Sequence, residues 1–188
     1  MRIFLCGSQG TGKSTLVNAL PESFGLDKRD SFSKKFLEKD PSIQTNQSQR
    51  YNEFQDKILL YCLNEYVNNR DFIASRSIVD SFAYLQANEA ENKIPLTNLV
   101  NHYRDYLLEE DDIYVYLPIE FPISKGGNEN REVDIEYQKK VDKYIQKYFN
   151  RLKKLGRKSK FISLSGEIDN RLEQLKGVIN EIREECSV

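Results

Sequence analysis

Residues 2–20 read RIFLCGSQGTGKSTLVNAL, and the fold is decided within them. RIFLC has the length and composition of a short buried strand. The stretch after it, GSQGTGKST over residues 7–15, meets G-x-x-x-x-G-K-[ST] at every fixed position. Residues 13–20 then begin an amphipathic helix. Strand, glycine-rich turn and helix in that order form a cradle for phosphate. Gly7, Gly10 and Gly12 free the backbone to aim several N–H groups at one anion, and the helix adds its N-terminal partial charge. Gly7, Ser8, Gln9, Gly10, Thr11, Gly12, Lys13, Ser14 and Thr15 are therefore expected to bind nucleotide phosphates. Lys13 would reach the β- and γ-phosphates, and the Ser14 hydroxyl would ligate Mg²⁺.

Other features narrow the class. A GTPase would carry D-x-x-G and N-K-x-D. No aspartate stands three residues before any of Gly25, Gly126, Gly127, Gly156 or Gly166, and Asn92-Lys93 runs on into Ile94-Pro95. A motor ATPase would end an apolar strand in Asp-Glu, whereas FIASRS, DIYVYLP and KFISLSG end otherwise. The 188 residues suffice for one domain with a proper core, and carry a formal net charge of -1. Cys6, Cys62 and Cys186 lie far apart and His102 is the sole histidine, which argues against a zinc site or a disulfide framework and suits a reducing compartment. No apolar run approaches the ~20 residues of a spanning helix, and the opening strand leaves no room for a signal peptide. A cytoplasmic chain with no membrane association is expected.

The remaining class is the small-molecule kinase. FIASRSIVDSFAYLQAN, residues 72–88, resembles the D-R-S-x-x-D-x-x-A-Y segment of P-loop nucleoside and nucleotide kinases. The resemblance is nearest to the ribosylnicotinamide kinase domain of bacterial NAD regulators and to the related small kinases of bacteriophages. Residues 112–145 resemble that group's strand and lid, with Arg131 ahead of V-D-x-x-Y, and residues 160–175 its last strand, adenine-side loop and final helix. The resemblance implies an ATP- and Mg²⁺-dependent phosphotransferase with Lys13, Arg76, Asp80 and Arg131 in the catalytic set. It also implies a single kinase domain over residues 1–188, with an arginine-bearing lid at about 120–137 that a Gly126-Gly127 hinge would close against water.

Ser75 departs from the pattern, since the family has an acid before the arginine. Asp80 or Asp30 would replace it, or no base is needed because the transition state is loose. Asp80 is the expected replacement, although it can equally cap or salt-bridge the start of its helix. Asp30, Lys34, Lys35, Gln47, Arg50 and Tyr84 are candidate acceptor contacts. Tyr51, Phe54, Ile58, Tyr61 and Cys62 recur at helical spacing, so much of that stretch packs on the core. The acceptor is expected to be a nucleoside or (deoxy)nucleoside monophosphate. The alternatives are a hydroxyl carried on DNA or RNA, or a binding module without catalysis. Residues 138–160 hold ten Lys and Arg against one acid, Asp142, so a nucleic acid could lie along the strip from Lys139 to Lys160. The expected architecture is α/β, a P-loop NTPase with a doubly wound parallel five-stranded sheet and helices on both faces. Its strands are placed at 2–6, near 31, and at 71–75, 113–117 and 161–164. A monomer or a homodimer would serve.

Overall fold

The computed structural model describes residues 1–29, 55, 57–62, 64, 70–88, 112–122, 134–155 and 158–185. Its strands are β1 (Arg2–Cys6), β2 (Asp27–Arg29), β3 (Phe72–Ala74), β4 (Asp112–Tyr116) and β5 (Lys160–Ser163). They form one parallel sheet in the order β2-β3-β1-β4-β5. The helices α1 (Lys13–Ala19), α2 (Ile78–Asn88), α3 (Ile135–Leu155) and α4 (Ile168–Glu185) cover it on both faces, and residues 55, 57–62 and 64 are also helical.

Alternation along the strands divides the core in two. Ile3, Leu5, Ile73, Ile113 and Val115 pack with Leu16 and Val17 of α1 and Leu175 and Ile179 of α4. Phe4, Cys6, Phe72, Tyr114, Tyr116 and Phe161 face α2, α3 and the helical residues Ile58, Leu59 and Cys62. On this second face Tyr114 stacks between Phe4 and Phe161, with ring centroids 5.2 and 5.0 Å away. Arg2 and Asp112 stand opposite each other in the register of β1 and β4, joined by bonds of 2.6 and 3.0 Å and both buried.

The five-stranded α/β sheet is as expected; its second strand is displaced. β2 lies at Asp27–Arg29 and not near Ser31, because pairing with β3 defines it and its charged residues suit a sheet edge. β1 sits centrally, and the chain leaves it towards β3 and β2 on one side and towards β4 and β5 on the other. The crevice beyond its C-terminal end is the switch point where such sheets place ligands. Of the expected lid, residues 123–133 lie outside those described, and among the described residues no helix is long and apolar enough to cross a membrane.

Candidate active site

The glycine-rich turn follows β1 directly. Gly10 and Gly12 have φ of 80° and 87°, the left-handed region open to glycine, and Gly12 caps α1. The Thr11 hydroxyl donates to the Ser8 carbonyl at 3.0 Å. The first N–H groups of α1, from Lys13 onward, have no partner within the helix and point their dipoles into the turn. Lys13 folds back over the loop and donates to the carbonyls of Gly7 and of Ser8, the latter at 2.7 Å. Burial pulls its pKa down; Asp80 opposes this, and Arg76 adds to it. An ammonium confined this way beside a second cation suits a multiply charged anion.

Asp80 shows how the loop is held. Ser77 and Asp80 form a capping box at the start of α2: the Ser77 N–H and hydroxyl donate to Asp80 Oδ2, and the Asp80 N–H returns to Ser77 Oγ. The other oxygen, Oδ1, accepts the Gly7 N–H at 3.0 Å and stands 3.9 Å from Lys13 Nζ. This buried carboxylate ties the first residue of the phosphate loop to the first turn of α2. Ser75, which holds the family acid's position, is buried, and its hydroxyl has no partner among the described residues.

α2 and the turn before it also bring Tyr84 and Arg76 to the loop. Arg76 donates to the Gln55 amide oxygen at 2.6 Å, and its guanidinium lies 4.9 Å from the centre of the Tyr84 ring. The Tyr84 hydroxyl donates to the Gln9 side chain at 2.9 Å, while Gln138 of α3 donates to the Gln9 carbonyl at 2.7 Å. Lys13, Arg76, Asp80 and Tyr84 are thus gathered around the loop that their sequence positions suggested. Asp30, Lys34, Lys35, Gln47, Arg50 and Arg131 lie outside the described residues.

Four features escaped the sequence reading. Gln55 is buried against Arg76, and Gln138 reaches the loop. Asp142 of α3 is buried and accepts the Tyr116 hydroxyl at 3.0 and 2.9 Å and the Gln146 amide at 2.7 Å; burial raises its pKa despite these donors. Arg171 of α4 is fully buried and joins the loops that follow β1, β4 and β5. Polar residues at core positions of an apolar helical stripe were the available signal, and Gln138, Asp142 and Arg171 all fit it.

Residues 2–171 match the family model described as an AAA domain. The chain belongs to the AAA domain family. No curated protein matches it. Among solved structures it is similar to deoxyadenosine kinase from M. mycoides with the products dCMP and a flexible dCDP bound. That match has a TM-score of 0.69 and 16% identity, over 97% of this chain and 100% of the other. The same enzyme with bound dCTP gives 0.68 at 16% identity, over 96% and 100% of the two chains. With bound dATP it gives 0.64 at 17%, again over 96% and 100%. This member of the AAA domain family therefore has a nucleoside-kinase-like P-loop fold.

Proposed function

We propose that the chain is an ATP-dependent kinase that transfers a γ-phosphoryl group to a nucleoside or (deoxy)nucleoside monophosphate. One observation carries the reading. Asp80 fixes the phosphate loop, with Lys13, to the start of α2 just after Arg76, so one cation from each side stands at the sheet's switch point. That arrangement suits a phosphoryl group handed from one side to the other, since catalysis here is positioning and neutralisation of spread charge.

The loop N–H groups and Lys13 would hold the donor phosphates. Ser14, half-buried at the start of α1, would hold Mg²⁺ together with phosphate oxygens and water, the usual sharing for this ion. Arg76 would neutralise the transferred group or align the acceptor, with Gln55 and Tyr84 fixing its guanidinium. Asp80 would position the loop instead of removing a proton, because both its oxygens already accept hydrogen bonds. With a serine at position 75, the acceptor hydroxyl would lose its proton late, as a loose transition state allows. Arg131 keeps its expected role over the transferring group.

A second reading has its own observation. The outer face of α3 exposes Lys139, Lys140, Lys143, Lys147, Lys153 and Lys154, and it begins one residue after Gln138, which touches the phosphate loop. An acceptor hydroxyl on DNA or RNA would find its backbone's counter-charge there.

The test is ADP release from Mg-ATP, with Lys13→Ala as the blank. The acceptor panel would hold ribo- and deoxynucleosides, their monophosphates, ribosylnicotinamide, and single- and double-stranded DNA with normal and hydroxymethylated bases. Stimulation by one small acceptor is expected. Stimulation by nucleic acid alone, lost as salt rises, would favour the second reading. ATP binding with no transfer to any acceptor would leave a nucleotide-dependent binding module.

A further inference from the structure

Arg171 has no exposed surface, and a guanidinium is costly to bury unless its N–H groups are met. Here they are met by three loops. Nε donates to the Gly166 carbonyl at 2.8 Å, Nη1 to the Thr11 carbonyl at 2.8 Å, and Nη2 to the Pro118 carbonyl at 3.2 Å and to the Glu120 carboxylate. The ring of Phe121 lies 4.9 Å from the guanidinium carbon. Glu120 closes the set by accepting the Gly166 N–H at 2.6 Å. The rigid planar fork of arginine spans such divergent acceptors, which the point charge of a lysine cannot do.

The geometry gives this knot a direction. Thr11 immediately precedes the cap of α1, so Nη1 holds the phosphate loop by a carbonyl at the end that enters the helix. A Cβ on Gly12 would stand 3.5 Å from the end of Ile168, so the turn into α4 runs directly alongside. This side belongs to the α1 and α4 core, whereas Tyr84 comes from α2 on the opposite face of the sheet and Arg76 from the turn that leads into α2. With an acceptor beside Arg76 and the attacking and leaving oxygens in line, the donor nucleoside would lie on the far side of the transferring group, the side of residues 165–167.

We propose that Arg171 is a positioning residue for the donor nucleotide: together with Glu120 it sets the distance between the phosphate loop and the loop that receives the base. The inference rests on the kinase reading, which puts a nucleoside triphosphate in the phosphate loop and the acceptor beside Arg76. The phosphate loop has other anchors in Asp80, Tyr84 and Gln138. Loss of the knot should therefore affect a ligand that spans both loops more than one that fills the phosphate loop alone.

Calorimetric titration of Mg-ATP and of Mg-tripolyphosphate into wild type, Arg171→Lys and Glu120→Gln tests this. Arg171→Lys is expected to bind ATP about ten-fold more weakly, the scale of one lost charge-assisted hydrogen bond, with tripolyphosphate within about two-fold of wild type. Glu120→Gln keeps an acceptor oxygen and loses the charge, and should show a smaller shift in the same ratio. It decides the matter if the lysine variant does not fold. Equal losses for both ligands would reduce Arg171 to a support of the phosphate loop, and unchanged ATP affinity would overturn the proposal. The kinase reading fails on a different result, a wild type that binds ATP and transfers nothing.

Discussion

At Gly7 the backbone has no room to spare. A Cβ there would stand 2.6 Å from Thr11 Oγ1 and 2.8 Å from the Leu117 carbonyl, and the latter is backbone that cannot swing away. Gly7→Ala is expected to cost about 1–3 kcal/mol of stability and to weaken ATP binding at once, measured by denaturant unfolding and nucleotide titration on one preparation. Asp80 separates two roles that its sequence position leaves open. Asp80→Asn keeps the shape but offers one acceptor oxygen where two are used, so either the Gly7 N–H or the Ser77 pair goes short. Stability should fall by about 1–3 kcal/mol and the KM for ATP should rise, with turnover at saturating ATP reduced less than in Arg76→Ala. An Asp80→Asn enzyme with normal stability and normal KM but no turnover would instead make this carboxylate the base. The glycine-rich turn and its place between β1 and α1 were legible because each fixed position of the motif answers a local geometric demand. Gln55 was not, because its importance comes from a partner, Arg76, that is remote in sequence.

Among the elements, α3 shows where periodicity informs and where it stops. Its spacing predicts a packed face and a basic face, and the structure buries Val141, Ile145, Tyr148, Phe149 and Leu152 while exposing the lysines. Periodicity puts Asp142 on the packed face but does not give its partners: the acid turns inward towards Tyr116, with Gln146 beside it and Lys13 and Asp80 close enough to act on its charge. Its folded-state pKa is raised, chiefly by burial, so the native state holds that proton more tightly than the unfolded chain does. Stability therefore gains as pH falls through the raised value, and the full penalty applies above it. Asp142→Asn should accordingly gain most over wild type near pH 8 and lose that advantage as the pH drops into the carboxylate range, in thermal melts at matched ionic strength. An advantage that grew on acidification would contradict the sign. β2 was misplaced for a related reason: three charged residues at a sheet edge carry no hydrophobic pattern, and only their pairing with β3 makes them a strand.

The whole sheet is pinned at opposite ends by two arginines of different kinds. At the N-terminal ends of the strands Arg2 meets Asp112 across β1 and β4, and at the C-terminal ends Arg171 gathers three loops. Arg2→Leu would strand a buried carboxylate and is expected to cost about 3–5 kcal/mol, whereas Arg2→Leu with Asp112→Leu should recover most of it; denaturant midpoints of the two variants make the comparison. The fold class could be read from the sequence because strands buried on both faces, a phosphate-loop motif and amphipathic helices all agree on it. Arg171 could be read only as a polar residue on the apolar stripe of α4, since the three carbonyls that converge on it come from loops remote in sequence. One consequence belongs to the aromatic row at the middle of the sheet. The chain has no tryptophan, so its near-ultraviolet circular dichroism comes chiefly from tyrosine, and Tyr114 is the ring held rigidly between two phenylalanines. The part of that band lost in Tyr114→Phe is an optical reporter of the strands, while the far-ultraviolet signal is dominated by the helices. Coincidence of the two on heating would mark sheet and helices as one cooperative unit, and their separation would reveal a sheet that outlives its cover.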